Sequence, residues 1–152
     1  MSYTSAEGRA ELLDQLAAAT DKLALALACL GAAYEQLDER SSDQLEQELF
    51  RPVQLAYGRA QRTFAEFAAR YGLPGRTFTQ PSAGVESQGA NALIERAADA
   101  AREADEAIAS LQDSMLPVEV GDPEVRAGLS EVRGIVDRLP EKARALIRVI
   151  GR

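Results

Sequence analysis

The sequence predicts an all-α fold, an antiparallel four-helix bundle formed by one domain spanning residues 1–152. Three observations lead there. A leucine recurs every seven residues at Leu16, Leu23, Leu30 and Leu37, the spacing of a helical seam. The chain is 46% hydrophobic but only 5% aromatic, and its apolar content is mostly alanine and leucine. That mix favours close-packed helices over strands, which draw on β-branched and aromatic residues. Finally, a few clusters of polar residues, glycine and proline divide the chain into four long periodic stretches, as short-looped bundles require.

The first helix is expected from Ser5 to Arg40, with Ser5 as its N-cap and Glu7 and Glu11 near the positive end of the helix dipole. Leu12, Ala19, Ala26 and Ala33 fill a second heptad position, and Leu13, Thr20, Leu27 and Tyr34 a third. Glu7, Asp14, Asp21 and Glu35 mark the opposite, solvated face. Ser41 and Gln44 fit a capping box, so the second helix is placed from there to Tyr71. Pro52 should kink it near residues 48–52, or leave a short helix before it, because the ring removes a hydrogen bond and collides with the carbonyl four residues back. Gly72 offers a left-handed cap and Pro74 blocks continuation.

Residues 72–87 form the longest loop, long enough to cross from one end of a bundle to the other, with Phe78 and Val85 expected to pin it. The third helix is expected from Ser87 to Leu116. Its inward face reads Ala90, Ile94, Ala97, Ala101, Ala104, Ile108, Leu111 and Met115. The small residues in its middle allow close helix approach, within the bundle or across a dimer seam. Asp122-Pro123-Glu124 is a helix start with a carboxylate cap and proline in the first turn. Val125, Leu129, Val132, Val136 and Leu139 form the core stripe of the fourth helix, which Pro140 kinks or restarts.

Function is bounded first by what the composition excludes. There is no histidine and one cysteine, Cys29. Di-iron Glu-x-x-His centres, Ser-His and Cys-His nucleophile pairs and zinc sites all need residues the chain lacks. The net charge of −7 disfavours nucleic acid, whose phosphates need clustered cations. A lone cysteine suits a reducing compartment. Residues 1–11 lack the apolar core of a targeting segment, and the uncharged stretch from Leu23 to Ala33 is shorter than a bilayer span. A cytoplasmic location is therefore expected. No cofactor is expected either.

Most carboxylates fall on solvated faces: with Ile94, Ala101 and Ile108 inward, Glu95, Asp99, Glu103 and Glu106 point out. One enzyme class retains a foothold. Glu35-Gln36-Leu37-Asp38 and Glu103-Ala104-Asp105-Glu106 resemble the Glu-x-x-Asp and Glu-x-x-Glu magnesium motifs of the all-α nucleotide pyrophosphatases. The resemblance covers four residues at each place, and the upstream double glutamate of that family is missing. It implies a magnesium-dependent nucleotide hydrolase with Glu35, Asp38, Glu103 and Glu106 as ligands. Tyr34 and Asp38 also have the Tyr-x-x-x-Asp spacing of type VII secretion substrates. The chain has no tryptophan for the Trp-x-Gly turn of those proteins, and here the motif ends the first helix.

Two other constellations stand out. Phe50, Tyr57, Phe64 and Tyr71 recur every seven residues. They read as bulky core opposite the alanines, or as a small-molecule pocket near Tyr34, Tyr57 and Phe64. Arginines cluster at Arg51, Arg59, Arg62, Arg70 and Arg76, and the chain ends in a basic amphipathic segment with Arg144 and Arg148. Such an end closes a bundle or docks on an anionic partner. The reading that fits best is a non-catalytic interaction or assembly protein that self-associates or binds a partner protein. Its candidate surfaces are Ala97, Ala101 and Ala104 together with Arg144 and Arg148.

Overall fold

The computed structural model describes residues 4–84 and 89–150, and no strand occurs among them. The elements are α1 (Ser5–Tyr34), α2 (Glu39–Leu45), a π-helical turn (Glu46–Phe50), α3 (Arg51–Arg70), α4 (Ala90–Asp113), a single turn α5 (Leu116–Glu119), α6 (Pro123–Val136) and α7 (Leu139–Ile150). Because α2, the π turn and α3 run on without a break, and α5 is only one turn, the described residues form five helices of substantial length rather than four.

The extra helix comes from Pro140. Its nitrogen has no proton to donate to the Val136 carbonyl, and its ring collides with that carbonyl. So α6 stops at Val136, and α7 restarts with Pro140 in its second position. Pro52 acts differently. The turn before it widens so that the Arg51 amide donates to the Glu46 carbonyl, five residues back, and the helix passes through the proline as α3.

Other boundaries shift for local reasons. Thr4, not Ser5, caps α1, accepting the Glu7 amide at 3.1 Å. Helix α1 ends at Tyr34, six residues before the expected Arg40, because Asp38 caps α2 by accepting the Ser41 amide at 2.8 Å. Leu37 sits in the intervening turn yet still packs on the core, so the leucine repeat outlasts the helix. Gly72 takes φ +65°, and the Leu73 amide returns to the Ala68 carbonyl at 2.9 Å, the bond pattern that closes a helix C-terminus. At the end of α4 a non-glycine residue, Met115, adopts φ 69° and turns the chain into α5 before Leu116 can extend α4. The expected start at Ser87 and the anchoring of Val85 lie outside the described residues.

Neighbours run antiparallel. Helix α1 packs along α4 and α3, α3 along α6, and α4 also along α6 and α7. Register is fixed by contacts spread along these pairs. Arg9 lies over the Tyr71 ring at 4.0 Å, Lys22 meets Glu103 at 3.2 Å, and Arg133 meets Asp105 at 3.0 Å. The loop from Gly72 therefore climbs the length of α1 and α3. Arg76 ties it to Asp21 at 2.8 Å, Phe78 meets Phe64 edge-on at 5.2 Å, and the Ala83 carbonyl accepts from Arg96.

The core is leucine on α1, rings on α3 and alanine on α4. Leu12, Leu16, Leu23 and Leu30 are at most 1% exposed, and Phe67 is fully buried. Large against small side chains fill such a layer to native density. Glycines set two close approaches. A Cβ on Gly8 would come within 2.9 Å of Val120 Cγ1, and one on Gly128 within 2.7 Å of Thr63 Cγ2. Helix α1 is long and apolar enough to cross a membrane by length and composition, with Asp21 and Lys22 as the charges in its apolar stretch. In the fold 61% of that stretch is buried inside the chain.

Candidate functional site

The four carboxylates of the hydrolase reading do not meet. Glu103 pairs with Lys22 in the middle of α1, and Glu35 lies about 20 Å further along at 1.5 Å per residue. The Asp38 carboxylate is spent on capping α2, and the Ser41 amide bond holds its carboxyl below the usual range. Glu106 accepts from Arg102 at 2.9 Å. Among the described residues no three Cys, Asp or Glu side chains gather to hold a metal. The short motifs matched in spacing, but their helices place them at different heights.

The proposed small-molecule pocket also comes apart. Tyr57 and Phe64 are buried, with the loop at Arg76 and Phe78 lying over them. Burial, reinforced by the Asp21 carboxylate and opposed by the Arg76 guanidinium, pushes the Tyr57 hydroxyl up from its ordinary value. Tyr34 is exposed at the far end of α1, in a shallow groove with Phe50, Glu46 and Gly31. The heptad of rings is core, as its alternation with the alanines of α4 allows.

The alanine seam is internal. Ala97, Ala101 and Ala104 are at most 4% exposed within the single chain, and Ala97 and Ala101 line a small apolar gap with Leu30 and Ala143. Their small side chains let α1 and α7 close on α4, so they present no surface to a second molecule. Cys29 is buried in the same core. Burial pushes its thiol up, against a smaller opposing pull from Arg96, which keeps it in the unreactive protonated form.

A polar cluster that the sequence did not reveal ties three elements together. The Asp122 carboxylate accepts two bonds from the Arg70 guanidinium, at 2.6 and 2.9 Å, one from the Tyr71 hydroxyl at 3.0 Å, and the Val125 amide at 2.8 Å. Arg9 covers the Tyr71 ring and donates to the Val120 carbonyl at 3.0 Å. Burial alone would raise the Asp122 carboxyl; the Arg70, Val125 and Tyr71 bonds outweigh it and hold it below the usual range. Every acceptor of this carboxylate faces a donor from the chain, so the cluster reads as a structural clamp. The Asp-Pro-Glu motif foretold the cap, but nothing local could foretell partners about 50 residues away.

The exposed apolar side chains remain. Met115 and Val118 are exposed at the α4–α5 corner, Leu55 is 62% exposed on α3 and Val149 is 56% exposed on α7. Of these, Leu55 and Val149 stand in grooves that also hold cations. Leu55 shares an open groove of about 520 Å³ with Arg51, Arg59, Arg62 and Glu131. Val149 shares a second groove with Leu146 and with Lys142, which pairs loosely with Glu48 at 3.9 Å, and Arg144 and Arg148 are exposed on the same helix. Leu139, Ala143 and Leu146 bury the other side of α7, so this helix both closes the core and presents a basic outer face. What these surfaces offer chemically is a combination of apolar contact with guanidinium recognition of carboxylates.

No known family model matches the chain, and no curated protein or solved structure matches it.

Proposed function

We propose that the protein is a non-catalytic helical interaction module of the cytoplasm that binds a partner protein through its outer faces. In this reading the five helices act as a four-sided antiparallel bundle, with α6 and α7 sharing the fourth side. The observation that carries it is the company of the exposed aliphatics. In a chain of net charge −7, Leu55 and Val149 stand in grooves lined by arginine or lysine. Aliphatic contact gives affinity, and flanking cations select an acidic partner and speed encounter. The burial of the alanine seam supports a partner other than a second copy, since the broadest apolar face is already covered.

Site-specific photo-crosslinking tests the reading. A photoreactive residue replaces Gln54 beside the α3 groove, Arg148 on α7, or Glu95 on the outer side of α4. The expected result is a discrete crosslinked species from position 54 or 148 and none from position 95. Equal labelling from all three positions, or none from any, would contradict it.

A further inference from the structure

We infer that the α3 groove is a docking site for an acidic amphipathic helix of another protein, one that carries a single apolar anchor between carboxylates. The inference rests on the interaction reading above and names the partner's chemistry. Arg51, Leu55, Gly58, Arg59 and Arg62 fall at i, i+4, i+7, i+8 and i+11 on α3, one continuous stripe. The stripe is apolar in the middle and cationic at both ends. A Cβ on Gly58 would meet nothing within 4 Å. Next to the exposed Leu55, the bare backbone at Gly58 is open to close approach by a partner helix.

The charges are uneven in a useful way. Arg59 is committed to Glu131 at 2.6 Å and to the Thr63 hydroxyl at 2.9 Å, so the acid of the groove is already neutralised. Arg51 has only a solvent-exposed pairing with Glu46, and Arg62 feels the Glu131 carboxylate at longer range without forming an ion pair among the described residues. The two residues lie about 16 Å apart along the axis of α3 at 1.5 Å per residue. They would meet carboxylates about three turns apart on a partner helix, one on each side of its anchor.

Other occupants fit less well. On the acidic outer face of α4 of a second copy, Glu103 pairs with Lys22 and both Asp99 and Glu106 share Arg102 in solvent-exposed contacts. That face lacks an exposed large apolar side chain, so it offers charge without an anchor. Nucleic acid would leave Leu55 unused and would face the net charge of −7.

The test is a titration of the isotope-labelled full chain with a synthetic alanine-based helix of about five turns. The peptide carries one leucine flanked by glutamates at the predicted positions. Amide shifts are followed at low salt. The expected result is shifts confined to residues 51–62 and the neighbourhood of Glu131, with affinity falling roughly tenfold or more in Gly58→Glu and in the Arg51→Glu/Arg62→Glu pair. A peptide with serine for its leucine should weaken by a similar factor. Gly58→Glu keeps the fold, because its site is open and glycine is the poorer helix former, and an unchanged or higher melting temperature verifies that. Absence of binding, shifts elsewhere, or affinity indifferent to these changes would overturn the inference. If the groove stays silent while position 148 crosslinks, the docking site falls and the interaction reading stands. Silence at both positions removes both.

Discussion

Asp122 shows what a single residue does in this fold. Its carboxylate caps α6, clamps Arg70 and receives the Tyr71 hydroxyl. Replacing it with alanine strips a cap and leaves a guanidinium and a phenol short of their acceptor. We expect Asp122→Ala to cost about 2–4 kcal/mol, combining a lost cap with a broken, largely buried pair, read as a lower urea midpoint. The pH dependence has a definite sign. The folded carboxyl titrates below its ordinary value. Its contribution is therefore complete above the unfolded pKa of about 3.9 and is lost as pH falls through the folded value. Urea midpoints measured downward from neutral pH should fall in this acid window for the parent chain and fall less for Asp122→Asn. Half of this residue's role was legible. The cap follows from Asp-Pro-Glu, whereas the Arg70 partner follows only from the antiparallel pairing of α3 with α6.

At the scale of elements, the stripes were legible and the ends were not. Periodicity reports which face is buried, and the burial of Leu12, Leu16, Leu23 and Leu30 follows it. Helix ends depend instead on which of several nearby caps wins. Asp38 accepts the Ser41 amide and starts the helix three residues before the expected cap, and Leu37 kept the repeat going past the break. Met115 ends α4 in a left-handed conformation that local sequence gives no reason to assign to methionine. Glycines within α6 give a paired prediction. Gly134→Ala meets nothing within 4 Å and should stabilise by about 0.5–1 kcal/mol through helix propensity. Gly128→Ala drives a methyl into Thr63 and should cost about 1–3 kcal/mol by overpacking. Thermal melts of the two variants should move in opposite directions.

The whole molecule is organised by the crossing loop. It carries the chain from the end of α3 back to the level of the end of α1, so that α4 runs antiparallel to α1. Phe78 is its main apolar anchor, 9% exposed and edge-on to Phe64. Phe78→Ala should lower stability by about 2–4 kcal/mol and raise amide exchange in residues 72–84 more than in α1. The length of the loop made a crossover possible on paper, but its path needed the Arg76–Asp21 and Phe78–Phe64 contacts. The candidate site was less legible than the fold. Arg51, Arg59 and Arg62 were visible as a cluster, yet the exposure of Leu55 between them was not, because an isolated leucine on a helix reads as core until its phase against neighbours is known. The alanine face likewise fitted both an internal layer and a dimer seam, and packing against α1 and α7 places it inside.

The claim that one chain closes its own core, leaving its outer faces for a partner, is tested most directly by absolute mass from light scattering over a dilution series. The account predicts the 16.3 kDa monomer at every concentration. A stable dimer would contradict it, since a second copy would then cover the surface assigned to an acidic partner.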